Sequence, residues 1–141
     1  MIDDIPLNQP LIFFSADHLI NKFNVLKNSI NKNKGHLNET NVFIFGIKPT
    51  SPSSQYGYFL SKKNKNFNKV TKFIEKPKKI LAKKIMKKKG YWNSGIFFIR
   101  KDSIINNFKK YQPLIFNNCL KSLLKSKYRN KTYFLNKDLF L

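Results

Sequence analysis

Acidic residues, arginine, cysteine and long apolar runs are all scarce in this chain. Seven Asp and Glu stand against 28 Lys and Arg in 141 residues, a net charge of +21. Such an excess points first to an anionic partner, RNA or an acidic membrane face. Yet only two of the 28 are Arg, and a dedicated nucleic-acid binder draws on Arg for bidentate contacts with phosphate and guanine. Lys, Asn, Ile and Phe are abundant together, the residues of A/T-rich codons. Coding composition, rather than nucleic-acid binding, is therefore the expected source of the charge, and a small anionic ligand remains compatible with it. Cys119 stands alone, which excludes an intrachain disulfide and suits a reducing compartment. Its setting among Phe116, Leu120 and Leu123 predicts a buried helix face. No run approaches the roughly 18 apolar residues that span a bilayer, and Met1 to Asp4 is acidic rather than basic. The expectation is a cytoplasmic protein without a membrane segment or a secretory signal.

What is present is an alternation of strand and helix patterns. Leu11 to Ser15 reads as a buried strand, followed by Asp17 and a helical stripe of Leu19, Ile20, Phe23, Leu26 and Ile30. Val42 to Ile47 is a second strand, and a turn-rich stretch from Pro49 to Gln55 leads to a third, Tyr56 to Leu60. That strand turns back through lysines and asparagines into Val70 to Ile74. A helix over about Lys78 to Lys89 follows, with Leu81, Ile85 and Met86 inward and Gly90 closing it. Gly95 to Arg100 is a further strand. Asp102 or Ser103 then caps a helix carrying Ile104, Ile105 and Phe108, and Pro113 opens another carrying Leu114, Phe116, Leu120, Leu123 and Leu124. Lys125 to Lys131 reads as surface loop, while Tyr133 to Leu135 and Leu139 to Leu141 each begin an element the chain does not finish. The pattern predicts a single α/β domain over residues 1–141, large enough to bury about 68% of its unfolded surface.

Polar residues gather where these strands end. Val70 to Ile74 runs into Glu75, Lys76 and Pro77, and a residue before proline is pushed toward extended backbone. A carboxylate and an ammonium thus sit at a strand's carboxyl end, where open α/β sheets bind ligands. Neighbours in a regular strand point to opposite faces, so the two share a ligand only if the strand twists out before the proline. Otherwise they form a solvated ion pair. Asp17 follows the first strand as a metal ligand or a helix cap. Gly57 lies between two tyrosines, either as a close-approach position or as an ordinary turn or bulge glycine. Asn93 precedes the fifth strand, offering a donor and an acceptor to a hydroxyl or bridging loop to strand. His18 reads as a surface or packing residue, Trp92 as a packing residue, and the Lys78 to Lys89 helix as a solvated face.

In order, Ser15-Ala16-Asp17-His18-Leu19-Ile20, Phe45-Gly46-Ile47-Lys48-Pro49-Thr50, Tyr56-Gly57-Tyr58, Phe73-Ile74-Glu75-Lys76-Pro77 and Trp92-Asn93-Ser94-Gly95 resemble the bacterial mannose-1-phosphate guanylyltransferases of the sugar nucleotidyltransferase superfamily. The likeness runs from about Leu11 to Cys119. It implies part of a glycosyltransferase-A-like, Rossmann-like nucleotidyltransferase domain, with a mixed sheet flanked by helices. It also implies conversion of GTP and mannose 1-phosphate to GDP-mannose and pyrophosphate. By the same resemblance Asp17 holds Mg2+, Lys76 neutralises the sugar phosphate, Glu75 and Asn93 meet sugar hydroxyls, and Gly57 lets backbone approach the sugar. Asp17 and Lys76 are then the catalytic pair.

One family motif has no counterpart. Members open on a glycine-rich loop of the form G-G-x-G-x-R-L-x-P, and the five glycines here, at 35, 46, 57, 90 and 95, make none. Nor does Asp138, in Asn-Lys-Asp-Leu-Phe, match the family's second metal-binding aspartate. The expectation is a chain resembling the middle of a catalytic domain, with little turnover alone. An unpaired edge near the Leu11 strand should favour self-association or a complementing amino-terminal piece. Alternatives are another sugar-1-phosphate nucleotidyltransferase, a basic RNA-binding protein derived from one, or a noncatalytic partner.

Overall fold

The computed structural model describes residues 5–65 and 67–139. Its strands and helices run β1 (Pro10–Phe13), α1 (Phe23–Asn33), β2 (Val42–Ile47), β3 (Tyr58–Lys63), β4 (Asn68–Ile74), α2 (Lys79–Lys87), β5 (Tyr91–Arg100), α3 (Lys101–Tyr111), α4 (Pro113–Leu124), β6 (Lys127–Arg129) and β7 (Thr132–Phe134). The α/β class and the second strand agree with the sequence reading. Among the described residues every strand pair is antiparallel rather than mixed. The reason is that β5 lies in the middle of the large sheet and each strand beside it runs the other way.

The register around β5 creates the central feature of the fold. Ile99 pairs with Leu11 of β1 and with Val42 of β2, and Trp92 pairs with Ile47 of β2 and Tyr58 of β3. A strand residue has two edges, so β2 follows one edge of β5 while β1 and β3 share the other. On that shared edge β1 takes Phe97 to Arg100 and β3 takes Tyr91 and Trp92. Beyond Asn93, whose N–H still reaches the segment before β3, the edge is left open as a notch at residues 94–96.

The best-packed core lies at the β3 end. Tyr58 and Ala82 are fully buried and Ile85 nearly so, with Leu60, Ile74, Met86 and Trp92 packed around them. Ala82, not Leu81, faces this core; Leu81 is exposed. α2 ends in a Schellman turn, with Gly90 N–H on the Ile85 carbonyl and Lys89 N–H on that of Met86. The left-handed residue is therefore Lys89, at φ 57°, and not Gly90.

Several boundaries depart from the sequence pattern. The stripe from Leu19 is helical only from Phe23, because residues 14–20 form a loop and turn. β5 begins at Tyr91 and so includes Asn93. Asp102 lies in the first turn of α3 rather than at its cap, which is Arg100. Pro113 opens α4 as expected. Cys119 is exposed, since the apolar side of α4 around it is left uncovered, with Leu114 and Leu120 exposed as well. The basic stretch after α4 is not a loop: Lys127 to Phe134 form a two-stranded hairpin. Phe140 and Leu141, and the acidic residues before Ile5, lie outside the described residues.

Candidate active site

The notch is bordered by the residues the motifs single out. On the β3 side, the Asn93 N–H donates to the Gly57 carbonyl at 2.8 Å, fastening the glycine to β5. Gly57 also faces the end of β4: a Cβ placed on it would lie 2.6 Å from Oε2 of Glu75 and 3.1 Å from the Phe73 ring. Its lack of a side chain is a matter of space, leaving room for that carboxylate. Tyr58 holds the approach to Gly57. Its hydroxyl accepts from the Ser53 N–H and donates to the Ser53 carbonyl, both at 3.0 Å.

Glu75 and Lys76 leave β4 together, both exposed, ahead of buried Pro77. Lys76 is not extended as a residue before proline should be; its φ is 41°, in the left-handed region. β4 ends at Ile74, so the two side chains are freed from strict strand alternation by a tight left-handed exit. A non-glycine residue in this region carries strain, which clusters where function demands it. Among the described residues the ion pair joins Arg100 to Asp102, and Glu75 and Lys76 do not neutralise each other.

Asn93 is half-buried within β5, and its Oδ1 accepts from the Gly95 N–H at 3.3 Å. The amide is thus not a bridge from loop to strand; the backbone of Asn93 takes that role. Its Nδ2 points no hydrogen bond at the described residues. Gly95 has φ +74°, a conformation that favours glycine. There the chain turns toward the β1 side, where His18 Cε1 lies 3.7 Å from the position of a Gly95 Cβ. The preceding residue, Asp17, is exposed in the same turn, closed by His18 N–H on the Ser15 carbonyl at 3.2 Å. Lys22 is the cap residue of α1, so Asp17 does not cap it.

Gly57, the Glu75 carboxylate and Asn93 are therefore brought together on one side of the notch and His18 lies near the other, while Lys76 and Asp17 follow only as chain neighbours of Glu75 and His18. Trp92 packs, between Tyr56 at 4.9 Å and Tyr58 at 6.4 Å. The sequence reading missed the roles of Tyr58 and Gly95. A tyrosine directly after the motif glycine, five residues from a serine in a turn-rich loop, is the signal that would have found the first.

Residues 2–139 match the family described as Nucleotidyl transferase. Mannose-1-phosphate guanylyltransferase 2 of Escherichia coli O157:H7 is 32% identical over 125 residues, covering 81% of this chain and 26% of that protein. Alginate biosynthesis protein AlgA of Pseudomonas fluorescens is 28% identical over 135 residues, covering 92% of this chain and 28% of AlgA. A solved structure described as mannose-6-phosphate isomerase from Helicobacter pylori superimposes with a TM-score of 0.79 at 27% identity, over 96% of this chain and 54% of that one. Another, described as mannose-1-phosphate geranyltransferase from Thermus thermophilus, gives 0.74 at 22% identity, over 84% of this chain and 36% of that one, a likeness of fold alone. The chain spans about a quarter of the length of the curated relatives it matches.

Proposed function

This chain belongs to the nucleotidyl transferase family, and from that premise we propose that it forms the sugar-phosphate side of a mannose-1-phosphate guanylyltransferase site. The observation that carries the reading is the notch: the Glu75 carboxylate against Gly57, and Asn93 fastened to Gly57, stand at one interrupted strand edge, with Lys76 next in the chain after Glu75. Mannose and guanine follow the names of the relatives.

In such a reaction a phosphate oxygen of mannose 1-phosphate attacks the α-phosphorus of GTP, and pyrophosphate departs in line. The difficulty is bringing two polyanions together, so positioning and charge matter more than covalent help. Lys76 supplies a compact cation for the sugar phosphate. Glu75 accepts hydrogen bonds from ring hydroxyls, and Asn93 donates one through Nδ2. Gly57 is buried and acts on the sugar through Glu75, whose carboxylate occupies the space a side chain would take. Asp17 is the residue that would hold Mg2+. Among the described residues no three His, Cys, Asp or Glu gather, and Mg2+ commonly takes only one or two carboxylates, the rest being phosphate oxygens and water. When bound, the ion neutralises phosphate charge.

No glycine-rich triphosphate loop is among these 141 residues, so binding rather than turnover is the direct readout. Titration calorimetry should show mannose 1-phosphate binding that Lys76→Met weakens about tenfold or more, the loss of a charge-assisted contact. Glu75→Gln should weaken mannose and mannose 1-phosphate alike. Unchanged affinity in Lys76→Met, or no binding by the parent chain, would remove the proposal.

A further inference from the structure

The face of the large sheet turned away from α2 carries a row of aromatic rings that ends beside Gly57. Ile74 and Trp92 pack into the α2 core, and side chains alternate along a strand, so Phe73 and Glu75 turn to the opposite face, as do Tyr91 and Asn93. β3 runs between these strands, and its Phe59 pairs with Phe73 on one side and Tyr91 on the other. The Phe59 and Tyr91 rings are stacked at 5.7 Å and 26°. Gly46, paired with Asn93, makes room for them: a Cβ there would lie 2.7 Å from Cζ of Phe59 and 2.8 Å from Cβ of Tyr91.

The ends of the row differ in exposure. Phe59 is 5% exposed and Phe73 47%, so burial accounts for the first ring and not for the second. Phe73 reaches toward Gly57 instead. Its Cζ and Cε1 lie 3.1 and 3.4 Å from the position of a Gly57 Cβ, which Oε2 of Glu75 approaches to 2.6 Å. A broad apolar ring and a carboxylate thus flank the same glycine on the same face. That pair suits a ligand with an apolar face and hydroxyl groups at its edge. A pyranose answers the description: its ring C–H groups, polarised positive by neighbouring oxygens, complement the negative face of an aromatic ring, and its hydroxyls leave sideways.

We propose that Phe73 is the platform on which the sugar ring lies, a specificity-determining residue that selects a pyranose phosphate over an open-chain polyol phosphate. The inference rests on the sugar-phosphate reading of the notch. Lys76 would meet the phosphate of either ligand, and hydroxyls of either can reach Glu75. Only a closed ring offers Phe73 a flat C–H surface.

The test is titration calorimetry on the full chain with mannose 1-phosphate, its open-chain counterpart mannitol 1-phosphate, and inorganic phosphate. The parent should bind mannose 1-phosphate about three- to tenfold more tightly than mannitol 1-phosphate, the contribution of one stacking contact. Phe73→Ala, at an exposed position that circular dichroism should show folded, should abolish the preference and leave the other two ligands unchanged. Phe73→Trp should keep the preference, and Phe73→Leu, apolar but not flat, should lose it. A parent without the preference would overturn the platform, as would Phe73→Ala or Phe73→Leu that retains it. An equal loss for all three ligands in Phe73→Ala would make Phe73 a structural support, which also overturns it. In each of these cases the parent still binds mannose 1-phosphate, so the site itself stands. Absence of binding by the parent would remove the site and this inference together.

Discussion

The two strands that share one edge of β5 have opposite fates. At the β3 end, Tyr58 and Ala82 are fully buried and Ile85 is 3% exposed. At the β1 end, Phe14 and Phe23 lie more than half exposed. Apolar content does not separate them. β3 has β4 on its far edge and α2 across its face, whereas β1 has β5 alone among the described residues. The lesson is that the candidate site is held from one side: Gly57, Glu75, Lys76 and Asn93 rest on the closed end, and Asp17 on the open one.

Stability measurements can break this comparison most sharply. Ile85→Ala removes packing from the closed core and should cost about 2–5 kcal/mol in urea unfolding. Phe23→Ala should stay within about 0.5 kcal/mol, as for an uncovered side chain. Similar losses at the two positions would mean that α1 packs as firmly as α2. Tyr58→Phe should cost about 1–3 kcal/mol by orphaning the Ser53 amide and carbonyl. Its diagnostic sign is faster hydrogen exchange at Ser53 with exchange in α2 unchanged.

Gly57→Ala sharpens the comparison within the closed end. The added Cβ meets the tip of a flexible, exposed Glu75 side chain and, less closely, the exposed Phe73 ring, and not backbone, so the fold can yield at little cost. The carboxylate must move, however. Stability should change by less than about 1 kcal/mol, while mannose 1-phosphate affinity, on the proposed reading, falls about tenfold. A large loss of stability with unchanged affinity would make Gly57 a packing residue only.

These contrasts also mark what the sequence could disclose. Val42 to Ile47 was legible because a continuous apolar run needs no partner to be recognised as a strand. Pro113 fixed the start of α4 through its own ring. The Glu75–Lys76 segment was legible as a strand end, but its left-handed exit was not, since local sterics before a proline argue against it. Cys119 shows the other limit. Periodicity identifies the apolar side of α4 but carries no information on whether anything covers it. The β6–β7 hairpin was hidden by its lysines, which tolerate either strand or loop. Asn93 was placed before its strand because the pattern rewarded apolar residues, while the register with β2 and β3 extends β5 back to Tyr91.

The smallest expected effect lies at the junction that joins β5 to α3 on the β1 side. Arg100 hydrogen-bonds Asp102 and, with the Ser103 N–H at 2.7 Å, holds its carboxyl below the usual carboxylate range against the opposing effect of burial. A carboxyl whose folded pKa is lowered stabilises the fold once it is ionised in the unfolded chain, above about pH 4. That contribution fades as pH falls through the lower folded value. The parent chain should therefore lose stability relative to Asp102→Asn as the pH is taken from about 5 to 2, with a small shift in urea midpoint. Because the Asp102 N–H also reaches the Leu7 carbonyl, the loss should appear as faster exchange near Leu7 and β1 while the Tyr58–Ile85 core is unmoved. A pH response shared equally by both ends would show that they unfold as one unit despite their unequal burial.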